Sequence, residues 1–268
     1  MISIDLDNTM RIFSGSADEN YGRIYAQTNE YLKQLYSNID FREKNVFSVA
    51  ASGDHALLAY ANGAAHVDIF DRNKLTLYYY YLRLWTLKYY NQFYPRIPLD
   101  KNYISEILHF VKVESSEEQK AFDYWSKLLD LVDSSMLDSL FFYEGTYLEN
   151  MSEDVIKINN SVEKDNFSFQ NIDISCKMNL QKKYDIVVVS NIFDWLLLKN
   201  NLTALETYRD NLYNLLNDGG IVLSSNVGSS GASKSQRIIF EKNFEYYKLP
   251  DFYFYKWSTT PGFIFKKK

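Results

Sequence analysis

One cysteine, three histidines, four prolines and ten glycines in 268 residues already exclude several kinds of protein. Cys176 alone cannot close an internal disulfide, and His55, His66 and His109 with a single cysteine offer no recognisable zinc-ligand spacing. The expectation is a reducing, cytoplasmic setting and no metal centre. Positive charge is not in excess either. With 29 Lys and Arg against 34 Asp and Glu, the net charge is −5 and the pI about 5.3. That leaves no electrostatic footprint for nucleic acid or an anionic membrane. No apolar run approaches the ~20 residues a bilayer span requires. The opening Met1-Ile-Ser-Ile-Asp-Leu-Asp7 is acidic where a signal peptide is basic. What is abundant is aromatic: 23 Tyr and 18 Phe, which read as core packing rather than as a binding platform.

With so few glycines, a glycine turn between two apolar runs stands out. Val46, Phe47, Val49 and Ala50 form a short buried-strand run. Ser52-Gly53-Asp54 is a turn that brings the backbone close to a ligand, and Ala56 to Tyr60 begins a helix. A second apolar run, Val67 to Phe70, delivers Asp71 at its carboxyl end. Its distance from Gly53 is close to the roughly 20 residues at which a carboxylate grips the ribose hydroxyls of an adenosine-containing ligand. A dinucleotide fingerprint needs further glycines so that a pyrophosphate can sit on the helix N-terminus, and here Ala50 and Ala51 occupy those places. This argues against NAD or FAD. A ligand without phosphates, such as S-adenosylmethionine, asks less of the turn.

The rest of the chain alternates strands and helices around one interruption. Residues 20–38 have helical spacing, as part of an N-terminal helical extension over 1–40. Lys74 to Phe93 is a long helix containing four consecutive tyrosines, Tyr78 to Tyr81, and Pro95 and Pro98 end it. Residues 98–168 then read as a mainly helical insertion or cap between the second and third strands. Ile172 to Cys176 is a short strand. Tyr184 to Asn191 is an unbroken β-branched run of the kind buried on both faces of a parallel sheet. Leu202 to Leu216 is an amphipathic helix stopped by an Asn217-Asp-Gly-Gly220 turn, Ile221 to Ser224 a strand, Lys234 to Phe244 a helix. Phe252 to Trp257 and Phe263 to Phe265 make an antiparallel pair of strands. The fold class is therefore α/β, a doubly wound and mostly parallel sheet with an antiparallel C-terminal edge, in a single domain over 1–268.

These residues together resemble the class I S-adenosylmethionine-dependent methyltransferase fold: the Gly53 turn, Asp71, the Tyr184 to Asn191 strand and Leu216-Asn-Asp-Gly-Gly-Ile-Val-Leu223. More narrowly, the Ala51 to Asp54 turn and the Ser190-Asn-Ile-Phe-Asp-Trp195 segment look like a branch related to the aminocarboxypropyltransferases that build betaine lipids. The resemblance implies that Ser52, Gly53 and Asp54 surround the methionine moiety of the cofactor and that Asp71 holds the ribose, assisted by Asn73. It places Asn179 at the adenine amino group and Ser190, Asn191 and Asp194 beneath the sulfonium. The transferred group would be a methyl or a 3-amino-3-carboxypropyl, and the acceptor a small or lipid-like molecule.

Plainer roles stand beside these. Asp71 can simply cap the helix that begins near Asn73, Asn191 and Asp194 can turn the chain after a strand, and Gly219-Gly220 reads as a turn. Two other functions compete. Ile2-Ser-Ile-Asp-Leu-Asp-Asn-Thr9 looks like the nucleophile motif of haloacid dehalogenase-like phosphatases, with Asp5 and Asp7 as the reacting carboxylates. The third possibility is a methyltransferase-like domain that binds without catalysing.

Overall fold

The computed structural model describes residues 2–28, 30, 32–92, 99–142, 152–162, 167–198, 201–225, 236, 238–254 and 258–268. The contacts group into two units: Met1–Asn29 with Ala50–Asp54 and Asp71–Asn160, and Glu30–Val49 with His55–Phe70 and Ser161–Lys268.

The second unit holds a seven-stranded sheet. Its strands are β2 (Asn45–Val49), β3 (His66–Asp71), β5 (Phe169–Asn171), β6 (Tyr184–Ser190), β7 (Leu216–Ser225), β8 (Phe244–Phe254) and β9 (Ser258–Lys267), in spatial order β5-β3-β2-β6-β7-β9-β8. β2 runs parallel to both β3 and β6, and β6 parallel to β7. β9 is antiparallel to β7 and β8. This is the doubly wound, mostly parallel sheet with an antiparallel C-terminal edge that the sequence implies. Val46, Phe47, Ile69, Val187 and Val188 are buried, as the continuous β-branched and aromatic runs require of strands covered on both faces. Phe47 stacks between Phe70 and Tyr184 at 4.6 and 4.8 Å. Beside the sheet are α2 (Leu32–Tyr36), α3 (Asp54–Ala61), α9 (Ile192–Leu198) and α10 (Leu202–Leu215), the last packed on β6 and β7. Asn201 caps α10 by accepting the Ala204 N–H at 3.0 Å.

A buried carboxylate ties the β3 side of this sheet together. Asp68 accepts bonds from Ser168 N (2.7 Å), Ser168 Oγ (2.8 Å), Lys182 Nζ (2.6 Å) and Tyr184 OH (2.9 Å), and His66 Nε2 lies 2.9 Å away. Burial alone would raise its pKa, but Lys182, Ser168 and Tyr184 together bring it down to about 2. A carboxylate whose folded pKa lies below its unfolded value stabilises above the unfolded value and loses that contribution as pH falls through the folded one. Asp68 should therefore stabilise the fold above about pH 4 and cease to do so towards pH 2. The urea midpoint of wild type should fall across that window, and that of Asp68→Asn should fall less.

In the first unit, α1 (Ile2–Ser14) is joined by α4 (Leu75–Tyr90), α5 (Lys101–Phe110), α6 (Ser116–Leu131), α7 (Ser134–Ser139), α8 (Ser152–Val162) as far as Asn160, and a two-residue parallel pair, β1 (Ile24–Tyr25) with β4 (Phe141–Phe142). Between the second and third strands of the parallel sheet the chain is mainly helical, as expected. Three of the four consecutive tyrosines, Tyr78, Tyr79 and Tyr80, are buried, and Trp125 Nε1 donates to the Tyr78 carbonyl at 2.8 Å. α4 ends at Asn91, whose left-handed φ of 54° lets its N–H return to the Leu87 carbonyl at 3.0 Å. Pro95 and Pro98 lie outside the described residues.

Four readings are corrected. Residues 20–38 are not one helix: Ile24 and Tyr25 form β1, because the Ile24 and Ala26 N–H groups bond to the Leu140 and Phe142 carbonyls, and the helix is confined to Leu32–Tyr36. The third strand lies at Phe169–Asn171, ahead of the Ile172 to Cys176 expected. Asn217 to Gly220 is a bulge inside β7 and not a turn before it. The register jumps from Tyr184↔Leu216 to Ile186↔Ile221, and Asn217 Nδ2 is anchored on Asp185 at 2.9 Å. The phosphatase motif lies on α1, where Asp7 is exposed and Asp5 is buried. Asp5 accepts the hydroxyls of Tyr21 and Tyr78 and the Lys74 ammonium at 2.9 and 3.0 Å. A nucleophile at a strand end is not formed, so that alternative falls.

Candidate functional site

Ligands of doubly wound sheets bind outside the carboxyl ends of the strands where the order reverses. Here β2 has its successor β3 on one side and β6 on the other, so the reversal lies between β2 and β6. The segments leaving those two strands hold most of the residues singled out from the sequence.

After β2 comes the glycine turn, built entirely within the first unit. Ala51 has a φ of 43° and Gly53 a φ of 86°. A Cβ on Gly53 would stand 2.9 Å from Tyr80 Cδ2, so the close approach that demands glycine is to a tyrosine ring of α4. Gly53→Ala is expected to cost roughly 2–3 kcal/mol, from the strained φ and the overpacked ring together. Chemical denaturation measures it.

Ser52 and Asp54 face inward. Asp54 Oδ1 accepts Arg83 Nη2 at 2.8 Å, and Oδ2 accepts the Ser52 hydroxyl at 2.7 Å and the Thr28 N–H. Arg83 Nη1 adds a bond to the Ser52 carbonyl at 2.7 Å, and the side chains of Arg83 and Asp54 are both 0% exposed. Their visible work is to lock the turn. Beside Thr28, Gln27 is buried, and its Oε1 has no hydrogen-bond partner among the described residues. A buried acceptor left so costs free energy unless a donor arrives.

Asp71 closes the same turn. Its Oδ2 accepts the Ala51 N–H at 2.9 Å and its Oδ1 the Asn73 N–H at 2.8 Å. The Arg72 backbone adds a further bond to the same carboxylate. Burial pushes the pKa of Asp71 up to about 6, against the opposing pull of the Asn73, Ala51 and Arg72 backbone donors and the Arg72 charge. Asn73 is spent on the chain, with Nδ2 on the Gly22 carbonyl (2.9 Å) and Oδ1 accepting the Leu75 N–H (3.2 Å).

After β6 comes a second polar group, built entirely within the second unit. Ser190, the last residue of β6, has a φ of 50°. Its Oγ donates to Glu30 Oε1 at 3.0 Å, its carbonyl accepts Ser224 Oγ at 3.0 Å, and Ser224 Oγ accepts Gln236 Nε2 at 2.9 Å. Glu30 Oε1 also accepts the Ser225 hydroxyl, and Oε2 lies 2.8 Å from His55 Nε2. His55 Nδ1 is 3.0 Å from the Tyr36 hydroxyl. Asn191 and Asp194 are half-buried in the start of α9, with the Asp194 N–H on the Asn191 carbonyl at 3.0 Å. Asn179 is exposed, eight positions beyond β5, and accepts Gln181 Nε2 at 3.0 Å.

The sequence reading missed Gln27, Glu30 and Arg83. An arginine amid the apolar and aromatic residues of Tyr78 to Leu87 was the available sign for Arg83, because a cation on a buried helix face needs a carboxylate. Nothing local marks Glu30 or Gln27.

No family model matches the chain, and none of the curated proteins does. Solved structures with a similar chain path include a methyltransferase from Pyrococcus furiosus (9% identity, 97% of this chain and 96% of that one, TM-score 0.45). A putative RNA methyltransferase from Pyrococcus horikoshii aligns at 14% identity over 88% of this chain and 80% of that one, with TM-score 0.44. The N-methyltransferase NodS from Bradyrhizobium japonicum WM9, solved with S-adenosyl-L-homocysteine, aligns at 10% identity over 88% and 83%, with TM-score 0.43.

Proposed function

We propose that this chain is an S-adenosylmethionine-dependent transferase that moves a methyl group to a small or lipid-like acceptor. The observation that carries this reading is Asp71, a carboxylate at the carboxyl end of β3 held by the Ala51 N–H of the turn that follows β2. A carboxylate at that place suits the two hydroxyls of a ribose, which donate to it. The residues fit such a cofactor in a second respect, because the buried Gln27 Oε1 wants a donor, and the cofactor's amino group is one.

A sulfonium supplies an already activated leaving group, so in this reading the chain's task is alignment and exclusion of water. Asp71 orients the ribose and Gln27 the amino group. Ser52, Asp54 and Arg83 hold the turn from behind rather than touching the ligand. Ser190, Asn191 and Asp194 shape the floor after β6, and Asn179 remains the candidate for the adenine edge. The net acidic charge favours a neutral or cationic acceptor over nucleic acid.

The test is calorimetric titration of S-adenosylmethionine and S-adenosylhomocysteine into the folded protein, followed by incubation with donor labelled either in the methyl or in the aminocarboxypropyl group. Micromolar binding and transfer of the methyl label bear the proposal out. Transfer of the other label would move the chain to the aminocarboxypropyl branch. Binding without transfer to any acceptor class would make it a binding module, and no binding of either nucleoside would end the reading.

A further inference from the structure

Glu30 belongs to no regular helix and is buried at 2% exposure, yet its carboxylate reaches the last residues of two neighbouring parallel strands: Ser190 of β6 and Ser225 of β7. The feature that needs explaining is Ser190, which carries a side chain at a φ of 50°, in the left-handed region that glycine enters freely. A residue keeps such a conformation only when its surroundings over-determine it. Here they do. Glu30 accepts the Ser190 hydroxyl at 3.0 Å, and the Ser224 hydroxyl, itself accepting from Gln236, donates to the Ser190 carbonyl. Burial alone would raise the pKa of Glu30, but the charge and hydrogen bond of His55 and the hydroxyls of Ser225 and Ser190 outweigh it and hold the group below the usual carboxylate range. The carboxylate is thus favoured in its ionised, accepting form. It sits on the carboxyl-end side of the sheet, at the strand bordering the reversal of strand order, where a small backbone rotation re-aims the chain entering α9.

We infer that Glu30 is a positioning residue: its carboxylate, paired with His55, holds Ser190 in the left-handed conformation that sets the path of the turn after β6. The inference rests on the proposed cofactor reading insofar as that turn is to lie beneath the bound nucleoside. Glu30 acts through Ser190 and touches no ligand itself.

The test compares wild type, Glu30→Gln, Ser190→Gly and the double variant, by S-adenosylhomocysteine affinity well below the melting temperature and by Tm without ligand. Glu30→Gln is expected to weaken binding about tenfold, and the double variant to recover to within about threefold of Ser190→Gly, because glycine needs no carboxylate to reach that φ. A double variant as weak as Glu30→Gln overturns the inference, since a direct ligand contact or general loosening would not be rescued by glycine. Without ligand, Ser190→Gly should raise the Tm of the Glu30→Gln protein and lower that of wild type. The same sign in both backgrounds overturns the inference whether or not the chain binds the nucleoside, so its failure is told apart from failure of the cofactor reading.

Discussion

Arg83→Met is expected to remove roughly 3–5 kcal/mol of folding stability, the range found when one partner of a buried ion pair is deleted and the other charge is left in the interior. The pair with Asp54 is fully enclosed at 2.8 Å, and the same guanidinium carries the Ser52 carbonyl, so the variant also strips an acceptor of its partner. The loss should appear in urea unfolding as a lower midpoint at unchanged slope. The cause can be isolated. In Asp54→Asn/Arg83→Met no charge remains, while the asparagine oxygen still accepts from Thr28 and Ser52. Most of the lost stability should return. If the double variant is as unstable as Arg83→Met, the uncompensated charge is not the reason. Because Arg83 holds the glycine turn from behind, the single variant should also bind the nucleoside less tightly at temperatures where it is folded.

Asp71→Ala should weaken S-adenosylhomocysteine binding roughly 10- to 100-fold, corresponding to the ~1.5–3 kcal/mol of hydrogen bonds to a charged acceptor. Acidity adds a directional check. With its pKa raised to about 6 by burial, Asp71 passes from a neutral acid to a carboxylate across mildly acidic pH. Two ribose hydroxyls need acceptors, so affinity should strengthen as pH rises through about 6 and level off above it. Asp71→Asn should abolish that slope. Stability runs the other way. A carboxyl whose folded pKa exceeds its unfolded value stabilises most below the unfolded value, and the contribution is lost as pH rises through the folded one. The free protein should therefore lose a little stability between about pH 4 and pH 6 from Asp71. An affinity flat from pH 5 to 8 in wild type would remove Asp71 from the ribose.

Local chemistry determined much of this protein directly from its sequence. The β-branched run from Tyr184 makes β6 because it fits only a strand buried on both faces. The glycine turn after β2, the acid closing β3, the amphipathic α10 and the aromatic α4 are likewise short-range matters of period and turn residue. Short apolar runs were ambiguous, as Ile2 to Ile4 shows: it reads as a strand ahead of Asp5 and Asp7, yet Ile2, Leu6, Thr9 and Phe13 lie on one face of α1. Only the tertiary structure decided what the polar groups do. Asp54 meets Arg83, Asp5 meets Lys74 and the tyrosines, and Glu30 meets Ser190 and Ser225, all across long separations in sequence. A buried charge is settled by whichever partner the fold brings within about 3 Å, and no pattern of neighbouring residues encodes that distance.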